Sequence, residues 1–197
     1  MTFKLGLTGS IGMGKSTTAQ MFVEEGCALW DADAAVHRLY AAGGAAVGPI
    51  AAVFPDAIEE GAVSRRRLKE IISNDQGALQ VLEMIVHPLV ARDRQEFIDN
   101  CTAEICVFDI PLLYETGNDQ MMDAVACVTI SPELQRERVL SRGTMTLAQF
   151  EAIRDKQLPD AIKRERANYV IETDTLEHAR EQVQSVLADI RKKISHA

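Results

Sequence analysis

The chain has 197 residues, 47% of them apolar, and a formal net charge of −8. That length and apolar content suffice for one α/β core with inserted segments. The negative balance argues against broad binding to nucleic acid or acidic membranes, but it leaves room for a small anionic ligand in a local basic pocket. No run of apolar residues is long enough to span a membrane.

Phe3-Lys4-Leu5-Gly6-Leu7-Thr8 reads as a strand with Phe3, Leu5 and Leu7 on one face. It leads directly into Gly9-Ser10-Ile11-Gly12-Met13-Gly14-Lys15-Ser16, followed by Thr17, a match to the phosphate-loop pattern G-x-x-x-x-G-K-[ST]. A helix is expected from Ser16 to Gly26. Strand, glycine turn and helix start are the context this chemistry needs, because successive backbone N–H groups of the turn and helix end converge on phosphate oxygens. Gly9, Gly12 and Gly14 are expected to supply positive φ and close approach to the anion. Lys15 would reach the β- and γ-phosphates of ATP, and the Ser16 hydroxyl would hold Mg²⁺. Gly9, Gly12, Met13, Gly14, Lys15, Ser16 and Thr17 are thus the expected nucleotide-binding residues. A chain that opens on this strand and loop is not expected to begin with a cleaved signal. Cys27, Cys101, Cys106 and Cys127 lack the close pairs of a zinc or redox site, so four free thiols in a reducing compartment are expected.

Cys27-Ala28-Leu29-Trp30 reads as a second strand, with Asp31 and Asp33 at its C-terminal end, where open α/β sheets bind ligands. Either carboxylate can serve an acceptor hydroxyl or cap the helix that follows, and spacing does not choose between them. From Gly43 to about Asn100 the pattern is helical. Ser64 looks like an N-cap, Asn74-Asp75 like the start of another helix, and His87-Pro88 like an interruption with a third helix beyond it. About fifty residues of helix exceed a simple crossover and read as an insertion. Within it, Arg65, Arg66 and Arg67 form either a solvated face or a phosphate contact. His87 fits capping or packing better than catalysis.

Glu104–Ile110 is a near-continuous apolar run typical of a buried parallel strand, and Asp109 near its end suits Mg²⁺ held through water. Ala124–Ile130 is another such strand. Ser131-Pro132-Glu133 opens a helix running to Arg142, with Gly143 as its C-cap. Arg136 to Arg166 holds most of the remaining arginines, and Thr146-x-x-Gln149 resembles a capping box inside it. The segment suits either a kinase lid or a set of exposed helices. Asn168–Ile171 is the last strand, and Asp174–Glu177 starts a closing helix whose apolar stripe runs from Leu176 to Ile194. A guanine-reading Asn-Lys-x-Asp motif and a transporter Leu-Ser-Gly-Gly-Gln signature are both missing, which disfavours a nucleotide switch or a transport ATPase.

Taken in order, several of these residues resemble the dephospho-CoA kinase family. The likeness covers Thr8 to Thr17, Asp31-Ala32-Asp33, Arg65-x-x-Leu68, Leu82-Glu83-x-Ile85-x-His87-Pro88 and Asp109-Ile110-Pro111-Leu112-Leu113-Tyr114-Glu115. It continues through Ser131-Pro132-x-x-Gln135-x-x-Arg138-x-x-x-Arg142, Gln157 and Lys163-x-x-x-Ala167. The resemblance implies a P-loop NTPase α/β fold: a five-stranded parallel sheet with flanking helices, a helical substrate-binding insertion and an arginine-rich lid. The implied core is residues 1–33, 101–137 and 167–197, with the insertion at 34–100 and the lid at 138–166. It implies a cytoplasmic, monomeric enzyme that uses ATP and Mg²⁺ to phosphorylate the ribose 3′-hydroxyl of 3′-dephospho-CoA, without nucleic-acid or membrane partners. Asp33, Lys15, Arg138 and Arg142 would be catalytic. Asp33, Arg65, His87 and Leu112 would bind the acceptor, and Ser16 and Asp109 would bind the metal. Three places depart from the family pattern: Ala167-Asn168 before the last strand, Val170-Ile171-Glu172-Thr173 at and after it, and a missing aromatic near Ser73. The first two are expected on the adenine side, away from the catalytic set.

Overall fold

A computed structural model describes residues 2–75 and 77–196; Met1, Gln76 and Ala197, which fall within the expected domain ranges, lie outside the described residues. The chain forms two compact units, residues 1–29 with 101–197, and residues 30–100.

The first unit is built on a parallel sheet. Its strands are β1 (Phe3–Thr8), β2 (Ala28–Asp31, whose last two residues belong to the second unit), β5 (Ile105–Asp109), β6 (Ala124–Thr129) and β7 (Tyr169–Glu172). Their order is β2-β5-β1-β6-β7. In register, Leu7 lies opposite Asp109 on one side and Ala126 on the other, so the C-terminal ends of the central strands open at one edge. β5 and β6 are buried along their whole length, as their continuous apolar runs require. Helices α1 (Lys15–Glu24) and α9 (Leu176–Ser195) bury Phe22, Val183, Leu187 and Ile190 against Leu5, Val107, Val128 and Ile171. Between β6 and β7 come α6 (Pro132–Ser141), α7 (Leu147–Arg154) and α8 (Asp160–Arg166). The Ser131 hydroxyl caps α6, Gly143 turns the chain at φ 65°, and Thr146 with Gln149 forms a complete capping box on α7.

The second unit holds α2 (Ala32–Tyr40), α3 (Val47–Val53), β3 (Ile58–Glu59), β4 (Ala62–Val63), α4 (Arg65–Asn74) and α5 (Ala78–Asn100) around Leu39, Ile50, Leu68, Leu82 and Val86. Two expectations fail here. The region is not wholly helical: β3 and β4 form an antiparallel hairpin turned by Glu60 and Gly61, with φ of 50° and 77°. Positive φ at both central residues matches the strand twist, and two-residue strands are too short to show a period in sequence. Second, Pro88 does not end a helix. α5 runs through it, because Leu82, Val86, Leu89 and Val90 on both sides pack into one cluster. That packing outweighs a lost N–H bond and ring clash of about 3 kcal/mol.

The cysteine expectation is corrected as well. Cys101 and Cys106 are joined by a disulfide with their Cα atoms 7.5 Å apart, and only Cys27 and Cys127 are free. The turn at 102–104, between the end of α5 and β5, brings the two sulfurs together, a proximity that five residues of spacing did not signal.

Candidate active site

The phosphate loop leaves β1 at the buried Thr8 and enters α1 at Lys15. Gly14 precedes the helix in the left-handed region at φ 84°, and no side chain caps α1, so the first amides of the helix stay available to an anion. Gly12 also has positive φ, at 79°. Gly9 does not. It is glycine because a Cβ there would collide with Val128 Cγ2 and lie 3.0 Å from the Val128 carbonyl on β6, a packing need and not a conformational one.

Lys15 Nζ forms an ion pair with Asp109 Oδ1 at the end of β5, where the Asp109 side chain is 2% exposed. Lys15 is therefore held by a buried carboxylate and does not project freely into solvent. Ser16 and Thr17 are exposed beside it at the start of α1. Among the described residues no three His, Cys, Asp or Glu side chains form a metal-holding group. A protein hydroxyl, one carboxylate acting through water and phosphate oxygens do suit Mg²⁺, which retains much of its hydration. Ser16 and Asp109 fit that description.

The loop is also held from the far end of the chain. The Thr173 hydroxyl donates to the Met13 carbonyl at 2.8 Å and accepts from Arg138, whose guanidinium also donates to the carbonyls of Thr173 (2.6 Å) and Asp174 (3.1 Å). Arg138 and Arg142 line a pocket of about 280 Å³ with Gly14, Thr17, Thr173 and Thr175. A larger groove of about 970 Å³ runs past Ser10, Met13, Gln135, Gln157, Asp160 and Arg164. After β5 the chain turns through Pro111 to Glu115. Leu112 is 42% exposed there, while Tyr114 is buried under the Arg166 guanidinium, 4.2 Å from its ring centroid, and burial pushes its hydroxyl up to about 12. Glu115 pairs with the fully buried Lys163 at 2.8 Å and accepts from the Leu158 amide at 2.8 Å. Burial alone would raise the Glu115 carboxyl, but the hydrogen bonds from Lys163 and Leu158 outweigh it and hold it below its ordinary value.

In the second unit, Asp31 accepts from the Ala34 amide at 2.9 Å and is the cap of α2. Asp33 lies in the first helical turn and is exposed, so the two aspartates do not share a strand face and the cap is taken by Asp31 alone. Arg66 and Arg67 pair with Glu59 and Glu70, whereas Arg65 lies 5.9 Å over the Tyr40 ring with no ion pair among the described residues. His87 is exposed in the interior of α5 and lines a shallow groove of about 420 Å³ with Glu83, Met84 and Pro88; it caps nothing.

The family model for dephospho-CoA kinase matches residues 3–178. The chain belongs to the dephospho-CoA kinase family. Dephospho-CoA kinase of Ruegeria pomeroyi is 66% identical over 100% of both chains. Among solved structures, TT1252 from Thermus thermophilus superposes with a TM-score of 0.85 at 30% identity, covering 95% of this chain and 97% of that one. Dephospho-CoA kinase from Campylobacter jejuni has a TM-score of 0.71 at 24% identity, covering 98% and 99%, and shares the P-loop kinase fold.

The two departures beside the last strand, at Asn168 and Thr173, have defined partners. Asn168 keeps the strand register by accepting from the Val125 amide at 2.8 Å while its own N–H bonds the Val125 carbonyl at 2.9 Å; an aspartate oxygen could accept equally well. Thr173 does not lie apart from the expected catalytic residues, since it bonds Arg138 and the phosphate loop directly. No local pattern signals this, because the partners are far apart in sequence. Gln135 and Gln157, part of the family pattern but with no role assigned from it, both bond the Ile11 backbone, Gln157 its N–H and Gln135 its carbonyl.

Proposed function

We propose that this chain transfers the γ-phosphoryl group of ATP to the ribose 3′-hydroxyl of 3′-dephospho-CoA, giving coenzyme A and ADP, the last step of coenzyme A synthesis. The observation that carries this reading is the family match over residues 3–178, on a chain whose phosphate loop ends in an uncapped helix headed by Lys15. The loop amides and Lys15 hold the phosphates of ATP. Lys15, already gathered against Asp109, exchanges part of that pairing for the nucleotide. Ser16, with Asp109 through water, would hold Mg²⁺, which when bound neutralises phosphate charge. Asp33 orients or deprotonates the acceptor hydroxyl; a loose phosphoryl-transfer transition state needs little base strength, so positioning suffices.

Arg138 and Arg142 are catalytic and close over the transferring group from their place beside Gly14 and Thr17, a reading supported by the hydrogen bonds of Arg138 to the Thr173 and Asp174 carbonyls, which fix its position. Residues 138–166 form the lid, residues 34–100 bind the acceptor through Arg65, His87 and neighbours, and Leu112 is a further acceptor-binding residue. We further place the enzyme in the cytoplasm as a monomer without nucleic-acid or membrane partners. Size-exclusion chromatography with light scattering tests the monomer.

The deciding experiment measures ADP release from Mg-ATP with and without 3′-dephospho-CoA and identifies the product by mass spectrometry. Acceptor-dependent ADP with coenzyme A formed is expected. ADP release that ignores dephospho-CoA but responds to another hydroxyl compound overturns the substrate.

A further inference from the structure

Two side-chain amides grip the backbone of one residue, Ile11, at the middle of the phosphate loop. The Ile11 N–H donates to Gln157 Oε1 at 3.0 Å, and Gln135 Nε2 donates to the Ile11 carbonyl at 2.7 Å. Gln135 is 4% exposed on α6, the helix that leads into the arginine-rich segment, and Gln157 sits where that segment returns, between α7 and α8. The helix that leads into the segment and the α7–α8 turn within it are thus anchored on the same residue of the loop. The turn is stitched further. The Gln157 amide donates to the Arg154 carbonyl at 3.0 Å, and the next amide, Leu158, bonds Glu115, which the buried Lys163 holds. Arg154 and Arg164 flank this anchored stretch on the wall of the 970 Å³ groove.

We propose that Gln157 is a positioning residue for phosphoryl transfer: through the Ile11 amide it sets the register of the arginine-bearing segment against the phosphate loop. The reaction named here rests on the function proposed above. Its effect falls on transfer more than on nucleotide affinity, because Lys15 and the remaining loop amides do not depend on it. Rate is sensitive to small displacements of groups that neutralise charge in the transition state.

The test compares native protein with Gln157→Ala and Gln157→Glu, the second keeping an acceptor oxygen of the same reach. Readouts are kcat for coenzyme A formation, calorimetric Kd for Mg-ATP, the thermal midpoint, and hydrogen exchange of peptides from the phosphate loop and residues 138–166. Gln157→Ala is expected to lower kcat by about tenfold to a hundredfold. Its Mg-ATP Kd should stay within about threefold and its midpoint within about 3 °C. Protection should fall together in both peptides, and Gln157→Glu should recover most of the protection and rate. Native kcat and exchange in Gln157→Ala overturn the proposal. So do equal losses in both variants, or a fall in kcat matched by lost Mg-ATP binding. If native protein makes no coenzyme A, the substrate reading fails alone, and the exchange comparison still decides the tether.

Discussion

The Lys163–Glu115 pair offers a sharp stability test. Lys163 has no exposed side-chain surface and Glu115 is 18% exposed, with 2.8 Å between Nζ and Oε1 and a further 3.3 Å contact from Nζ to the Pro111 carbonyl. Lys163→Met keeps most of the alkyl volume and removes the charge. Taking one partner from a fully buried pair costs about 3–5 kcal/mol. Glu115 retains some solvent and the Leu158 N–H, so the expected loss is lower, about 2–3 kcal/mol. For a chain of this size, that corresponds to a fall of about 4–12 °C in the thermal midpoint. Glu115→Gln should cost more, because it strands an ammonium with no exposure. Its ceiling is about 5 kcal/mol, the work of neutralising a lysine at pH 7. The double variant should recover part of the loss. Glu115 has a folded pKa below its ordinary 4.5, so its contribution is complete above that value and is lost as pH falls through the folded pKa. Thermal melts by circular dichroism from pH 7 to pH 3 should therefore show the gap between native protein and Lys163→Met closing in acid. A midpoint for Lys163→Met within about 2 °C of native at pH 7, or a gap that persists in acid, refutes the reasoning.

Lys15→Ala should lower phosphoryl transfer by about a hundredfold or more in a coupled ADP assay. It should also destabilise the fold by about 1–3 kcal/mol, because it takes a cation from the buried Asp109 carboxylate; an unchanged rate would overturn the phosphate-loop assignment. Asp33→Asn should lower kcat by about tenfold or more while leaving calorimetric ATP affinity within about threefold. If it chiefly weakened ATP binding, Asp33 would be a nucleotide or metal contact. Burial pushes the Cys127 thiol up to about 12, so it should resist a thiol reagent at pH 8 in the native protein. Unfolded without reductant, the chain should titrate as two thiols, Cys27 and Cys127; four would disprove the disulfide.

Much of the first unit was legible because its signals are local. The strand-loop-helix at Phe3–Glu24 is a motif, β5 and β6 are uninterrupted apolar runs, and the caps at Ser131 and Thr146, like that at Ser64 in the second unit, each bond an amide three residues ahead. A side chain that satisfies a backbone group within one turn leaves its mark in spacing. Family membership was legible too, because motifs in a fixed order carry it.

What required the fold were partnerships between distant residues. That Lys15 is gathered onto Asp109 is a consequence of β1 and β5 being sheet neighbours. Thr173 meets Met13, and Gln157 meets Ile11, because β7 and the α7–α8 turn return to the loop, at separations of 160 and 146 residues that no periodicity encodes. Local rules failed where packing outweighed them. Pro88 should break a helix and does not, because apolar contacts on both sides exceed its local cost. Gly9 looked like a residue chosen for φ and is set by the neighbouring strand. Sequence by itself determined the elements whose stabilising contacts lie within a turn or two and the chemistry those elements present. Only tertiary structure decided which distant groups share a hydrogen bond or a buried charge, because those energies exist only once the sheet has brought the chain back on itself.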